Sequence, residues 1–196
     1  MEKFDLKKLY QKEIQNHIES ADLFLKSNFN EFKKFFEICI KSLKKGNKII
    51  LFGNGGSAAD AQHISTELVV RYKKNRKSIP AISLSTDTSA LTAIGNDLSF
   101  NKIFSRQIES IGNKGDVAIG ISTSGRSLNV LNGLDLAKKK KIIAVFLTRK
   151  NYPNKAKINR ITDIVLGVPG KETARIQELH ILLGHLLCAS LDKTFK

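Results

Sequence analysis

Residues 48–57 read Lys-Ile-Ile-Leu-Phe-Gly-Asn-Gly-Gly-Ser, and this stretch decides how the chain is expected to fold. Its unbroken apolar run is typical of a strand that is buried on both faces of a sheet. The glycines that follow allow a tight turn and a close approach of the backbone to a ligand, and a helix is predicted to begin near Ser57. The stretch therefore predicts a strand, an anion-binding loop and a helix.

Four more short apolar runs follow this strand at helix-length intervals, at residues 81–84, 117–121, 142–147 and 164–168. The segments between the runs are long enough to form crossover helices. These segments begin near Ser57, Thr88, Ser127 and Tyr152. The alternation predicts an α/β fold whose central sheet of about five strands is mostly parallel and is flanked by helices.

Helices are also expected at the two ends of the chain. Apolar residues recur at three- and four-residue spacing over residues 5–43, which predicts an N-terminal helical hairpin broken near residues 27–30. A long C-terminal helix is predicted over residues 173–194. Because no linker or composition break interrupts the chain, we predict one domain over residues 1–196. Its hairpin occupies residues 1–46, and its α/β core with the C-terminal helix occupies residues 47–196.

Composition narrows the class of protein. The chain has 196 residues, of which 41% are hydrophobic and 26% charged, as in ordinary globular domains. No signal sequence is recognisable and the apolar runs are too short to span a bilayer, so we expect a cytoplasmic protein that does not bind membranes. Cys39 and Cys188 are expected to be buried free thiols. The net charge of +15 lies in lysine clusters without interleaved aromatic residues, so no nucleic-acid partner is expected.

A second loop follows the third predicted strand and reads Ser-Thr-Ser-Gly-Arg-Ser over residues 122–127. A phosphate dianion needs several short donors that converge from one side, and hydroxyls at a helix N-terminus supply them. The alternative is that Ser127 caps the helix while the other residues form a turn. A cap needs only one hydroxyl, and four are present here. The loop therefore predicts a phosphate site.

The glycine loop leaves an oxidoreductase as an alternative. Its spacing, Gly53-x-Gly55-x-x-Ala58, also fits the dinucleotide fingerprint. That fingerprint needs an acidic residue at the end of the next strand, but Asp87 lies beyond the predicted end of that strand. The dinucleotide interpretation also gives the serine loop no role. A Walker phosphate loop is excluded, because no Lys-Ser or Lys-Thr pair closes the glycines.

Candidate catalytic residues lie on two predicted helices. His63 and Glu67 are four positions apart and share a helix face. Gln177 and His185, with His180 between them, lie on the terminal helix, where eight residues separate the first two by about 12 Å. These donors suit zinc or a similar divalent ion, bound midway or with help from a neighbouring subunit. A carboxylate and an imidazole can also move the proton of an aldose–ketose isomerisation.

The chain resembles the sugar isomerase (SIS) domain family over almost its whole length. The segments that carry this resemblance are residues 53–63, 71–72, 93–97, 104–106, 120–125 and 174–180. The resemblance implies an isomerase that converts sedoheptulose 7-phosphate to D-glycero-D-manno-heptose 7-phosphate through an enediol. This reaction is the first step of nucleotide-activated heptose biosynthesis.

The resemblance also implies roles for particular residues in a homotetramer whose sites lie between subunits. One zinc ion per subunit would be held by His63, Glu67, Gln177 and His185, and Glu67 and His185 would move the proton. The substrate would be bound by Asn54, Gly55, Gly56, Ser57, Glu67, Asn96, Asp97, Ser122, Thr123, Ser124, Ser127 and Gln177. Arg71 is a further candidate. The remaining alternative is a non-catalytic SIS-domain regulator, which binds sugar phosphates or associates with a replication initiator. Such proteins typically lose the catalytic acid or the terminal-helix histidine.

Overall fold

The computed structural model describes residues 4–27 and 29–195. Its centre is a five-stranded sheet in the order β2-β1-β3-β4-β5, and every adjacent pair of strands is parallel. The strands are β1 (Ile49–Gly53), β2 (Ala81–Ser83), β3 (Val117–Ser122), β4 (Ile143–Arg149) and β5 (Ile164–Val168). The prediction of an α/β fold with a parallel sheet is confirmed.

Eight α-helices surround the sheet in the described part of the chain. They are α1 (Leu6–Leu25), α2 (Phe29–Leu43), α3 (Gly56–Val69), α4 (Thr88–Asp97), α5 (Ile103–Ile111), α6 (Leu128–Lys139), α7 (Lys155–Ile161) and α8 (Thr173–Thr194). The long terminal helix has the predicted bounds, whereas α5 was not predicted. The break expected at residues 27–30 includes Asn28, which lies outside the described residues.

Alternate residues of the central strands form the core on opposite faces of the sheet. Ile49 and Leu51 pack with α2, α3 and α8, while Ile50 and Phe52 pack with α5 and α6. The side chain of Phe104, on the unpredicted α5, has its ring centroid 5.2 Å from that of Phe52. Both faces of the central strands are therefore buried, which explains why their sequences are apolar throughout.

The parallel sheet brings two loops together at one edge. The β1–β3 ladder pairs Gly53 with Ile121, and the β3–β4 ladder pairs Ser122 with Thr148. Because the strand order reverses between β1 and β3, their carboxyl ends border a crevice of the kind in which open α/β sheets bind ligands. The glycine loop and the serine loop both lie at this edge.

The two N-terminal helices lie against the rest of the molecule. Helix α1 contacts α8, where the guanidinium of Arg175 donates to the carbonyl oxygen of Glu13 at 2.6 Å. Helix α2 contacts β5. The free thiols of Cys39 on α2 and Cys188 on α8 are both buried. Among residues 4–27 and 29–195, no helix is long and apolar enough to cross a bilayer.

Candidate active site

The glycine loop brings β1, β3 and α3 into close contact. A Cβ at Gly53 would lie 2.7 Å from Cβ of Ser57 and 2.9 Å from the carbonyl oxygen of Ile121, so only glycine fits there. Gly55 has φ 55, a conformation that glycine adopts without strain. Helix α3 begins at Gly56, so its positive N-terminal end lies in the crevice at the sheet edge, where the N–H groups of Ser57 and Ala58 donate to the carbonyl oxygens of Asn54 and Gly55 at 3.0 Å.

Hydroxyls converge in the serine loop. Oγ of the buried Ser122 lies 2.9 Å from Oγ of Ser127 and 3.4 Å from Oγ of Ser124. Ser127 is the N-cap residue of α6, yet its side chain makes no capping hydrogen bond to the described residues. Its hydroxyl lies against the other serines instead. The geometry therefore favours a cluster of hydroxyl donors at the start of a helix, as phosphate binding requires.

A pair of asparagines joins the two loops. The side-chain amide of Asn54 donates to Oδ1 of Asn129 at 2.8 Å, and the amide of Asn129 donates back at 2.9 Å. Asn129 is 2% exposed and lies in the first turn of α6. Sequence reasoning missed it because the two asparagines are 75 positions apart. The pair fixes the glycine loop relative to the serine loop.

Helices α3 and α8 bring three candidate proton carriers together. Nε2 of His63 lies 2.9 Å from Nε2 of His185, and 3.7 Å from Oε1 of Glu67. Burial, the neighbouring His63 and the cation of Lys73 lower the pKa of His185, while the carboxylate of Glu67 raises it in part. His185 is therefore held towards its neutral form, in which an imidazole can accept a proton or bind a metal.

Gln177 lies apart from the histidine pair. A Cβ at Gly56 would lie 2.2 Å from Nε2 of Gln177, so this amide covers the glycine loop. Burial raises the pKa of the neighbouring Asp60 to about 6, although the amide of Gln177 and the ring of His63 act to lower it. No hydrogen bond within the described residues joins Gln177 to either histidine. The wide separation predicted for Gln177 and His185 along α8 is therefore present in the folded chain.

The nitrogen and oxygen donors of the histidines, Glu67 and Gln177 are chemically suited to a divalent metal, and the two histidines also come close to the geometry that such an ion needs. Two zinc–nitrogen bonds of about 2.0–2.1 Å at a tetrahedral angle place the nitrogens about 3.3 Å apart. The Nε2 atoms of His63 and His185 are 2.9 Å apart and face one another. A small rotation of either ring would therefore accommodate an ion, with the Glu67 carboxylate next to it. Within residues 4–27 and 29–195, no group of three or more His, Cys, Asp or Glu side chains is arranged so that it could hold a metal ion.

Three other predicted residues make their side-chain hydrogen bonds outside the histidine cluster and the two loops. Asn96 donates its amide to the carboxylate of Asp97 at 2.8 Å, and both are exposed at the end of α4. The exposed Arg71 donates to Oδ1 of Asn75 at 2.9 Å. In the described part of the chain, no hydrogen bond links Asn96 or Asp97 to the serine loop or to the histidines.

The acid required by the dinucleotide alternative is engaged elsewhere. Asp87 is the N-cap of α4, and its carboxylate accepts from the backbone N–H of Ala90 at 2.9 Å. This local role accounts for an acidic residue after β2 without any ribose.

His180 and Thr148 form a buried polar site below the serine loop. Both side chains are 0% exposed, and neither imidazole nitrogen of His180 has a hydrogen-bond partner in the described structure. Burial lowers the pKa of His180 to about 4, while the backbone of Thr148 raises it in part. Oγ1 of Thr148 likewise has no partner there, and it would lie 3.1 Å from a Cβ at Gly125 in the serine loop.

Comparison with known proteins agrees with this architecture. The SIS domain family model matches residues 10–148. Phosphoheptose isomerase 1 of Campylobacter jejuni is 50% identical over 95% of this chain and 98% of its own, and the Nitratiruptor phosphoheptose isomerase is 54% identical over 81% and 83%. The structure of phosphoheptose isomerase from Neisseria gonorrhoeae superposes with a TM-score of 0.89 at 38% identity, covering 96% of this chain and 100% of that one.

The chain belongs to the SIS domain family. Within it, the high identity over nearly full length places the chain with the phosphoheptose isomerases, so that it is an enzyme of the aldose–ketose isomerase class.

Proposed function

We propose that this site interconverts sedoheptulose 7-phosphate and D-glycero-D-manno-heptose 7-phosphate, at the start of nucleotide-activated heptose biosynthesis. The observation that carries the proposal is the convergence of Glu67 and His185, from two different helices, with His63 Nε2 2.9 Å from His185 Nε2. Relatives that bear the name phosphoheptose isomerase over most of this chain support the choice of substrate.

The two loops bind the sugar phosphate in this proposal. The hydroxyls of Ser122, Ser124 and Ser127, with that of Thr123, donate to phosphate oxygens at the N-terminus of α6. Asn54 and the backbone of Gly55 and Gly56 contact the sugar from the glycine loop, next to Ser57 in the first turn of α3. Holding the phosphate fixes the distance between the sugar carbonyl and the proton carriers, which reduces the entropy cost of reaction.

Glu67 and His185 move the proton. The carboxylate of Glu67 removes a proton from the carbon next to the carbonyl, and the imidazole of His185 delivers a proton to the carbonyl oxygen, which gives a neutral enediol. Glu67 then returns its proton to the neighbouring carbon while His185 takes up the proton of the other hydroxyl, which completes the isomerisation and restores both residues. Gln177 and His63 orient the enediol oxygens.

We also propose that His63, Glu67, Gln177 and His185 hold a zinc ion. When bound, such an ion would polarise the carbonyl oxygen and stabilise the negative charge that develops on it as the neighbouring carbon loses its proton. Gln177 must turn away from Gly56 to reach it. We expect a chelator to lower turnover and added zinc to restore it. Undiminished turnover after complete removal of metal would contradict the metal part of the proposal and leave proton transfer to the side chains.

A second copy of this chain completes the site in our proposal. Helix α1 exposes Tyr10, Ile14 and Ile18 at four-residue intervals, with 65%, 43% and 53% of their surfaces accessible. Such an apolar stripe is typical of a helix that packs against a partner. Assembly to a homotetramer would bring Asn96 and Asp97 to the substrate of a neighbouring subunit. Light scattering should show a tetramer, and Ile14→Lys with Ile18→Lys should reduce its mass.

The cellular setting in this proposal is the cytoplasm. The thiols of Cys39 and Cys188 are buried and free, as suits a reducing compartment. Residues 1–46 and 47–196 are proposed to form one domain.

The decisive experiment is to incubate the purified chain with sedoheptulose 7-phosphate in D₂O. An enediol route predicts an aldoheptose 7-phosphate that carries deuterium at the carbon that receives the proton. Fructose 6-phosphate serves as the control ketose and should react much more slowly. Binding of the sugar phosphate without product or deuterium exchange would overturn the proposal and support the regulator instead.

A further inference from the structure

The segment between α3 and β2, residues 70–80, crosses the histidine cluster without regular secondary structure. The ring of Tyr72 stacks on that of His185, with centroids 5.5 Å apart and planes inclined by 23°. On the same imidazole, the His63 ring makes an edge contact at 5.1 Å and 68°. The His185 ring therefore contacts two other rings. Of these two residues, only His63 was predicted to belong to the site.

The same segment is anchored by Asp192, seven residues after His185 on α8. Its carboxylate accepts from the backbone N–H of Lys73 at 2.8 Å and of Lys74 at 3.1 Å, and from Nε of Arg76 at 2.6 Å. The Arg76 and Asp192 side chains are 0% and 3% exposed. Burial would raise the pKa of Asp192, but these hydrogen bonds hold it below its usual value.

Arg76 also reaches the end of α3. Its guanidinium donates to the carbonyl oxygens of Glu67 and Leu68, both at 2.8 Å. These carbonyls belong to the last turn of α3, where a helix leaves carbonyl groups without intrahelical partners, and that of Leu68 also accepts from the backbone N–H of Ile79 at 3.1 Å. One buried side chain therefore joins the backbone of Glu67 to the helix that carries His185.

The position of Asp192 is unusual for an acidic residue. It lies in the last turn of α8, where the helix dipole disfavours a negative charge. Buried ion pairs contribute little net stability compared with apolar residues of similar size. The pair therefore matters here for the geometry that it imposes on the ends of α3 and α8 rather than for any net stability.

We propose that Tyr72 is a positioning residue for His185, and that the Arg76–Asp192 pair holds the segment that carries it. The stacked ring fixes the plane of the imidazole, and the ion pair fixes the ends of α3 and α8 relative to one another. Together they set the separation of Glu67 and His185. This inference rests on the proposed roles of those two residues in proton transfer.

The first test compares Tyr72→Leu with Tyr72→Phe, which keeps the ring. We expect Tyr72→Leu to lower kcat about tenfold with KM changed less than threefold, and Tyr72→Phe to stay within about twofold. In the metal-free protein, nitrogen NMR should show the His185 ring resonances displaced in Tyr72→Leu and unchanged in Tyr72→Phe. A folded Tyr72→Leu protein with normal kcat and unmoved His185 resonances would overturn the inference.

The second test uses Asp192→Asn and limited trypsin digestion of the intact protein. Loss of the anchor should speed cleavage after Lys73 and Lys74 at least fivefold, while cleavage after the remote Lys33 stays unchanged. Faster cleavage at all three sites would show general unfolding and contradict a local anchor. The resonance and digestion results do not need turnover, so they can support the positioning role even if the proposed isomerase activity fails, and failure here leaves that activity standing.

Discussion

The serine loop and the histidine cluster are assembled in different ways. Ser122, Ser124 and Ser127 lie within six consecutive residues, and their hydroxyls meet because a strand ends and a helix begins there. His63 and His185 are 122 positions apart and meet only because α3 packs against α8. The phosphate half of the site is thus a local structure, whereas the proton-transfer half depends on packing across the molecule and can be damaged from a distance.

The largest expected effect separates chemistry from binding. Glu67→Gln removes the carboxylate base but keeps the shape, so kcat should fall about 10²–10⁴-fold while KM changes little. Steady-state kinetics with sedoheptulose 7-phosphate measure both. Glu109→Gln, which removes an exposed glutamate that pairs with Arg106, is the matched control and should retain normal kinetics. More than a tenth of normal kcat in Glu67→Gln would refute its role.

The next effect concerns His180, which lies where the two halves meet. A histidine with a folded-state pKa of about 4 takes up a proton more readily in the unfolded chain, near pH 6.5. The stability that the neutral His180 side chain contributes is therefore fully present above pH 6.5 and is lost as the pH falls towards 4. Between pH 7 and pH 5 this linkage should lower the free energy of unfolding by about 2 kcal/mol.

Urea unfolding of the wild type and His180→Gln at the two pH values tests this linkage. The variant should lose about 2 kcal/mol less than the wild type on acidification. His17→Gln, at an exposed histidine of α1, should behave like the wild type. Burial raises the pKa of Asp60, so this residue changes the stability with pH in the opposite direction. Because Asp60 is present in all three proteins, its effect cancels in the comparison. Equal slopes in the wild type and His180→Gln would contradict the buried neutral imidazole.

Ser127→Ala probes the local half alone. Loss of one hydroxyl that donates to a charged phosphate should raise KM about tenfold with kcat nearly unchanged. Because the Ser127 hydroxyl makes no capping hydrogen bond to the described residues, the melting temperature should change little. Ser190→Ala, which removes a hydroxyl bonded to the Leu186 carbonyl oxygen on α8, is the control. A stability loss of more than about 1 kcal/mol, with normal KM, would show that Ser127 acts as a cap.

The smallest expected effect comes from Gly56→Ala. The added methyl group would lie 2.2 Å from Nε2 of Gln177, and this flexible amide can move aside at low cost to folding. Turnover should fall about fivefold while the melting temperature stays within about 2 °C, because the methyl group would enter the space next to the Gly56 backbone in which the sugar is proposed to bind. Unchanged turnover in Gly56→Ala would contradict the proposed contact between the Gly56 backbone and the sugar.

The sheet could be predicted from sequence because its signals are local. Buried parallel strands are apolar in every position, and β5 has the predicted bounds. The serine loop could be found for the same reason, since its hydroxyls are neighbours in the chain. Helix α5 was missed although Phe104 and Ile108 have helical spacing, because its nine residues fall in a segment already assigned to a crossover after α4.

The remaining parts of the site arise from contacts that no local pattern records. Asn54 meets Asn129 across 75 positions, and Arg76 meets Asp192 across 116. Family resemblance, rather than spacing, supplied the candidate roles of Asn96 and Asp97, and the geometry of this chain alone does not join them to the cluster. Tyr72 belongs to a segment that carries the family resemblance, but its stacking on His185 could be found only from the folded structure.

The link between Arg76 and Asp192 also bears on the order in which the molecule is made. Helix α8 is synthesised after all five strands, so the residues that anchor residues 70–80 and that complete one face of the core are made after the sheet and the serine loop. Contacts between distant residues also form late in folding, because the entropy of closing a long loop opposes them. The proton-transfer half of the site can therefore be completed only once α8 has been made and has packed against α3.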